Sequence, residues 1–171
     1  KQATLVPKAL EFCQKALVKN IRIYAEELIP FQHEVAMVYC RSLKQQFITY
    51  PLVISEQQDN VCKLVYGPAT EFGISQNLEA LAIEYGQKIA NQFSYIGTFA
   101  LEFFITNAGD LIINEMAPRV HNTGHYTLDA CQTNQFENHI RCGFGSDLGS
   151  PTTFPFFAML NILGQKVSNE T

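Results

Sequence analysis

The sequence predicts a mixed α+β fold built on a mostly antiparallel sheet, and three observations carry that expectation. Short stretches of strand character follow one another between turn residues, one strongly amphipathic helix stands in mid-chain, and two apolar strands are joined by a tight turn. In order, Pro7 occupies a favoured first helical position, and Leu10, Cys13 and Leu17 repeat with helical spacing, giving a short helix over 7–19. Strands are expected over 22–28, 34–41, 46–53 and 61–66; Pro30 divides the first pair and the polar run 55–60 divides the last. Leu78, Leu81, Ala82, Tyr85, Ile89 and Phe93 form one apolar stripe, with Ser75 or Asn77 available as N-cap. Strands over 97–105 and 110–114 flank the turn Asn107-Ala108-Gly109. After a polar loop (117–125) a second long helix is expected over 128–142. Gly143, Gly145, Gly149 and Pro151 then break the chain before a last strand over 156–163, which reads as the opening of a further small domain. There is no internal repeat.

The 171 residues suffice for one good core, or for one domain and part of another. A net charge of −4 argues against a nucleic-acid or anionic-membrane surface as the main business, though not against local nucleotide binding. Five scattered cysteines without Cys-x-x-Cys spacing read as reduced thiols of a cytoplasmic protein, not a disulfide framework or zinc site. No apolar run is long enough for a membrane span, and no signal peptide is visible. The start at Lys1-Gln2, without an initiator Met, suggests a chain missing its beginning.

Two places carry chemistry. Centring the hairpin on Ala108-Gly109 sets Glu102 opposite Glu115 on one face, with Cβ atoms about 5 Å apart. Like charges so placed are destabilising unless neutralised, and Mg²⁺ prefers one or two carboxylates plus substrate phosphates. A one-residue slip would instead leave one Glu in solvent without any metal. The loop that follows crowds Arg119, His121 and His125 around Asn122, Thr123 and Gly124. Guanidinium suits phosphate or carboxylate, imidazole donates or carries a proton near neutrality, and glycine admits close backbone approach. A merely solvated surface loop is the plainer alternative.

Asn114-Glu115-Met116-Ala117-Pro118-Arg119, followed by His121-Asn122-Thr123-Gly124-His125, resembles the signature of the 5-(carboxyamino)imidazole ribonucleotide synthase branch of ATP-grasp ligases. Gln135-Phe136-Glu137-Asn138-His139 and Met159-Leu160-Asn161-Ile162-Leu163-Gly164 are similar to two further segments of that family, and 26–34 resembles its hinge. The resemblance implies the C-terminal half of an ATP-grasp fold over 1–145 and the start of a small C-terminal β domain over 146–171. It implies that Glu26, Glu27, Leu28 and Ile29 meet adenine, that Glu34 binds the ribose, and that Glu102 and Glu115 hold Mg²⁺ on the ATP phosphates beside Asn114. Arg119 and His121 would be catalytic, and with Asn122, Thr123, Gly124 and His125 they would face aminoimidazole ribonucleotide and a carboxyphosphate-like intermediate formed from bicarbonate. The family is commonly dimeric and acts in purine biosynthesis. This chain departs from it in lacking the Gly-rich loop with phosphate-binding lysines, which Lys1, Lys8, Lys15 and Lys19 do not match, and in carrying Gln57 where a His is usual. Ala117 stands where the wider superfamily often has Asn. Other ATP-grasp ligases, or a truncated non-catalytic nucleotide-binding module, are the competing readings.

Overall fold

The computed structural model describes residues 5–58, 61–162 and 164. Its centre is β1 (Phe31–Arg41), whose run Val35 to Cys40 is buried on both faces. Around it lie β2 (Phe47–Thr49), β3 (Val53–Gln58), β4 (Val61–Gly67), β5 (Gly97–Thr106), β6 (Leu111–Ala117) and β7 (Phe157–Leu160). They form one seven-stranded sheet in the order β6-β5-β1-β3-β4-β7, with β2 paired to β1, and every pairing is antiparallel. The expected antiparallel α+β architecture is therefore present.

Period-two alternation sends the side chains of β1 and β5 to two separate layers. Val35, Met37, Tyr39, Phe99, Leu101, Phe103 and Ile105 pack beneath α2 (Gln76–Gln92), meeting Leu78, Leu81, Ala82, Tyr85 and Ile89. Fully burying an aromatic such as Phe99 contributes ~2–3 kcal/mol. The Tyr39 ring lies so close to Gly86 that no Cβ fits there, and its hydroxyl donates to Ala82 O at 2.8 Å. Ser75 caps α2 as expected, accepting from Asn77 N at 3.1 Å. On the opposite layer Val38, Cys40 and Ala100 pack with Cys142 of α4 (Gln135–Phe144), while Ala36, Val53 and Val65 pack with Tyr126 and Phe157.

Several elements differ from expectation for identifiable reasons. The segment 22–28 forms no strand, because it finds no partner strand among the described residues; it follows α1 (Leu5–Val18) as exposed, irregular chain. The strand expected over 46–53 is interrupted at Tyr50-Pro51-Leu52, where proline has no N–H to give and Leu52 N donates to Glu79 Oε1 instead. The polar run 55–58 is strand: its backbone pairs with β4 while Glu56, Gln57 and Gln58 stay exposed. The helix expected over 128–142 is two, α3 (Thr127–Ala130) and α4, because Asn134 turns its side chain back to accept from Phe136 N and Glu137 N and starts a new helix. The last strand pairs with β4 at the sheet's outer edge, and Leu163 lies outside the described residues.

Candidate functional site

The hairpin β5–β6 builds the site through an irregularity that the sequence did not announce. Gly109, at φ +88°, closes a turn in which Gly109 N donates to Thr106 O and Thr106 N donates to Asp110 O. The ladder then runs Ile105↔Leu111, Phe104↔Ile112 and Phe103↔Ile113, which is one residue out of step with the expected register. A β-bulge at Asn114 absorbs that step, so Glu102 pairs with Glu115 after all. The expected facing carboxylates are present; the expected turn geometry is not what places them. The bulge also brings Asn114 to the same cleft.

That cleft, of about 510 Å³, is lined by Glu34, Gln57, Val61, Cys62, Glu102, Asn114, Glu115, His121 and Asn122. Glu34 and Glu102 share its floor because Glu102 pairs with Ala36, two residues along β1 from Glu34. Burial, then the neighbouring charges of Glu115 and Glu34, push the Glu102 carboxyl up to about 7. Burial also raises Glu34. One donor atom from each of Glu102, Glu115 and His121 lies within 4.8 Å of the others. His121 Nε2 stands 3.5 Å from Glu102 Oε1, and burial followed by the Arg119 charge lowers its pKa. Two facing carboxylates carrying unbalanced negative charge fit a hard divalent cation such as Mg²⁺.

His121 is 8% exposed and firmly held. Its backbone N–H donates to Gln135 Oε1 at 3.0 Å and its carbonyl accepts from Gln135 Nε2 at 2.7 Å. Its Nδ1 lies 2.9 Å from Thr123 Oγ1 and accepts from Thr123 N at 3.4 Å. Thr123 and Gly124 are buried behind the cleft and do not line it; a Cβ on Gly124 would meet Gln135 Oε1 at 2.7 Å. His125 is exposed, stacks on Phe136 with centroids 5.6 Å apart, and does not line the cleft. Arg119 is exposed and donates to Val120 O at 2.9 Å. Of the loop residues, then, His121 and Asn122 reach the cleft and the others support or flank it.

Glu26, Glu27, Leu28 and Ile29 line a second cleft of about 390 Å³ with Phe31, Phe104, Ile112, Ile113 and Asn114. Phe31 and Phe104 stack there at 4.4 Å, giving one wall an aromatic surface. Asn114 lines both clefts, so the two are neighbours. Sequence reasoning missed Phe104, Ile112 and Cys62 and left Gln57 as an oddity. The alternation along β5 could have found Phe104, two residues from Glu102 on the same face. Cys62 is a protonated thiol, pushed up to about 11 mainly by burial.

The hinge-like stretch, the facing carboxylates and the histidine loop together define an ATP-grasp unit, and the ATP-grasp domain model matches residues 1–136: the chain belongs to this family. Within it, the chain is 39% identical over 176 residues to the phosphoribosylaminoimidazole carboxylase of Candida albicans, covering 98% of this chain and 30% of that protein. It is 37% identical over 153 residues to the N5-carboxyaminoimidazole ribonucleotide synthase of Bacillus subtilis, covering 89% and 39%. The fold matches the N5-carboxyaminoimidazole synthase of Aspergillus clavatus in complex with ADP and 5-aminoimidazole ribonucleotide, with TM-score 0.83, 32% identity, and coverage of 95% of this chain and 42% of that one. It also matches the N5-carboxyaminoimidazole ribonucleotide synthetase of Thermus thermophilus, with TM-score 0.77, 38% identity, and coverage of 82% and 38%. The chain thus spans about 30–40% of the length of the curated relatives it matches.

Proposed function

We propose that this chain is the C-terminal part of a ligase that uses ATP to carboxylate 5-aminoimidazole ribonucleotide with bicarbonate, yielding 5-(carboxyamino)imidazole ribonucleotide, ADP and phosphate for purine synthesis. The observation that carries the proposal is the convergence of Glu102, Glu115 and His121, from a hairpin and loop of the family pattern, in one cleft beside an aromatic-walled slot. Adenine lies in that slot against Phe104, with the backbone of 26–29 offering hydrogen bonds, and Glu34 takes the ribose hydroxyls. Glu102 and Glu115 would hold Mg²⁺, which when bound would neutralise charge on the ATP phosphates. Bicarbonate oxygen attacks the γ-phosphorus and ADP leaves; the amine of the ribonucleotide then takes the activated carboxyl as phosphate departs. His121 and Asn122, with Arg119 flanking the cleft, orient the anionic intermediate, and exclusion of water protects it.

In this reading residues 1–145 are the ATP-grasp portion and 146–171 begin a small C-terminal β domain. A homodimer in the cytoplasm completes the proposal; all five cysteines are free, as a reducing compartment requires. No helix among the described residues is long and apolar enough to cross a membrane. One observation favours a second reading, a nucleotide-binding module without catalysis: no lysine or arginine lines the carboxylate cleft among the described residues. Phosphate release from ATP and bicarbonate by the complete protein separates the two. Stimulation by aminoimidazole ribonucleotide, abolished in Glu115→Gln, supports the ligase. ATP binding without any stimulation rejects it.

A further inference from the structure

Thr98 stands where the sheet loses a strand. The pairing of β5 with β6 ends at Ala100↔Ala117, while its pairing with β1 runs on through Cys40↔Thr98 to Arg41↔Gly97. Beyond Ala100 the backbone groups on the β6 side need other partners, and at Thr98 side chains supply them. Its N–H donates to His139 Nδ1 at 3.0 Å, and its carbonyl accepts from the Tyr95 hydroxyl at 3.0 Å. The ring lies so close to the chain that a Cβ on Gly97, at φ +126°, would stand 3.2 Å from His139 Cε1. Thr98 is wholly buried, and its hydroxyl donates to Gln135 O at 3.2 Å. Thr98 thus grips α4 at two residues one helical turn apart, Gln135 and His139. Asn138 ties the same helix elsewhere, to Tyr50 Oη and the Gly149 backbone.

This grip joins the two sides of the carboxylate cleft. Glu102 lies four residues along β5 from Thr98, on the same face of the strand. His121 belongs to the other side, its backbone N–H and carbonyl both bonded by the Gln135 side chain. How α4 sits against the start of β5 therefore sets how the His121 loop sits against Glu102. We propose that His139 and Thr98 are positioning residues of the ligase: together they register α4 on β5, and so hold His121 and Asn122 in place over Glu102 and Glu115. The proposal rests on the ligase reading of the cleft. Neither residue lines the cleft, so their effect passes through Gln135. His139 is exposed, so in His139→Ala water reaches the Thr98 N–H and the fold survives; what is lost is the register.

The test uses the complete protein and two readouts, ribonucleotide-stimulated phosphate release and hydrogen exchange. His139→Ala should lower kcat ~10-fold, the factor one hydrogen bond allows, while KM for ATP, whose adenine slot lies apart from α4, stays within about twofold. His139→Asn, which offers Oδ1 to the Thr98 N–H, should restore kcat. Exchange reads the register without turnover. Peptides holding Thr98 and His121 should both exchange faster in His139→Ala and return to parent rates in His139→Asn. Thr98→Val, which keeps the N–H and removes only the hydroxyl bond to Gln135, should also lower kcat at unchanged KM; it carries the test if His139→Ala does not fold. Faster exchange at Thr98 with the His121 peptide and kcat unchanged overturns the proposal. So does a kcat loss that His139→Asn fails to restore, or full kcat in folded Thr98→Val. A parent without stimulated phosphate release overturns the ligase reading instead, and the exchange pattern then decides the register by itself.

Discussion

Replacing Glu102 with Gln should make the chain more stable while destroying its cation site. In the folded protein the Glu102 carboxyl is pushed from 4.5 to about 7, so the native state holds its proton more tightly than the unfolded chain does. Stability is therefore greatest below pH 4.5 as far as this group is concerned. It falls as pH rises toward 7 and stays reduced above it. A change of this size corresponds to ~3 kcal/mol, or ~2–3 kcal/mol once the solvent contact of a side chain 21% exposed is counted. Gln keeps the shape and cannot ionise, so at pH 8 without metal the variant should exceed the parent by up to that amount. Near pH 4.5 the two should converge. His121 works in the opposite sense: its lowered pKa adds stability as pH rises toward 6.5, so only the difference between variant and parent isolates Glu102. Urea unfolding in EDTA at pH 5, 6, 7 and 8 provides that difference. If Glu102→Gln is no more stable than the parent at pH 8, or if the gap does not widen between pH 5 and 7, then the crowding of charge around Glu102 is too weak to need a cation.

The same carboxyl predicts that Mg²⁺ affinity, measured by calorimetry, weakens up to tenfold for each pH unit below 7, because the metal must displace the Glu102 proton. Gly124→Ala drives a methyl into Gln135 Oε1 and Val38 Cγ2, at 2.7 and 2.8 Å, and should cost ~1–3 kcal/mol in the urea midpoint. Gln135→Leu strands the buried N–H and carbonyl of His121 and should cost ~2–4 kcal/mol, with the His121 ring resonance shifting even where the fold survives. Phe104→Ala removes half of the stacked wall and should weaken ATP binding by about tenfold while leaving Mg²⁺ binding intact, read by titration with nucleotide and metal separately.

What was legible in the sequence followed from local pattern. The apolar stripe of α2 and its Ser75 cap, the buried run of β1 and the hairpin at Gly109 each express a preference written into neighbouring residues. What was not legible depended on distant partners. Nothing in 22–28 says that no strand lies beside it, and nothing in Glu56, Gln57 and Gln58 says that β4 will accept their backbone. The Thr127–Phe144 region hid its break because Asn134 looks like any polar helix residue until its side chain folds back on Phe136 and Glu137.

The facing glutamates teach a sharper point about inference from register. A regular ladder grown from the observed turn would set Glu102 against Asn114 and turn Glu115 to the α2 side of the sheet, among Leu101 and Phe103. Burying a lone carboxylate there would be far more unfavourable than one irregular residue, so the bulge is the lower-energy solution. It satisfies the apolar layer and the acidic cleft at once, and it adds Asn114 to both clefts. The pairing read from the turn register is thus present, although the turn that register assumed is one residue out of step with the one observed. By that logic, deleting Asn114 should remove the bulge and leave Glu102 opposite Glu115 in an unbroken ladder. A Glu102 resonance that titrates near 7 in the deletion variant, as in the parent, is the expected result. A carboxyl titrating in the ordinary range, in a chain that still folds, would mean that the bulge, and not the pairing, crowds the charges together.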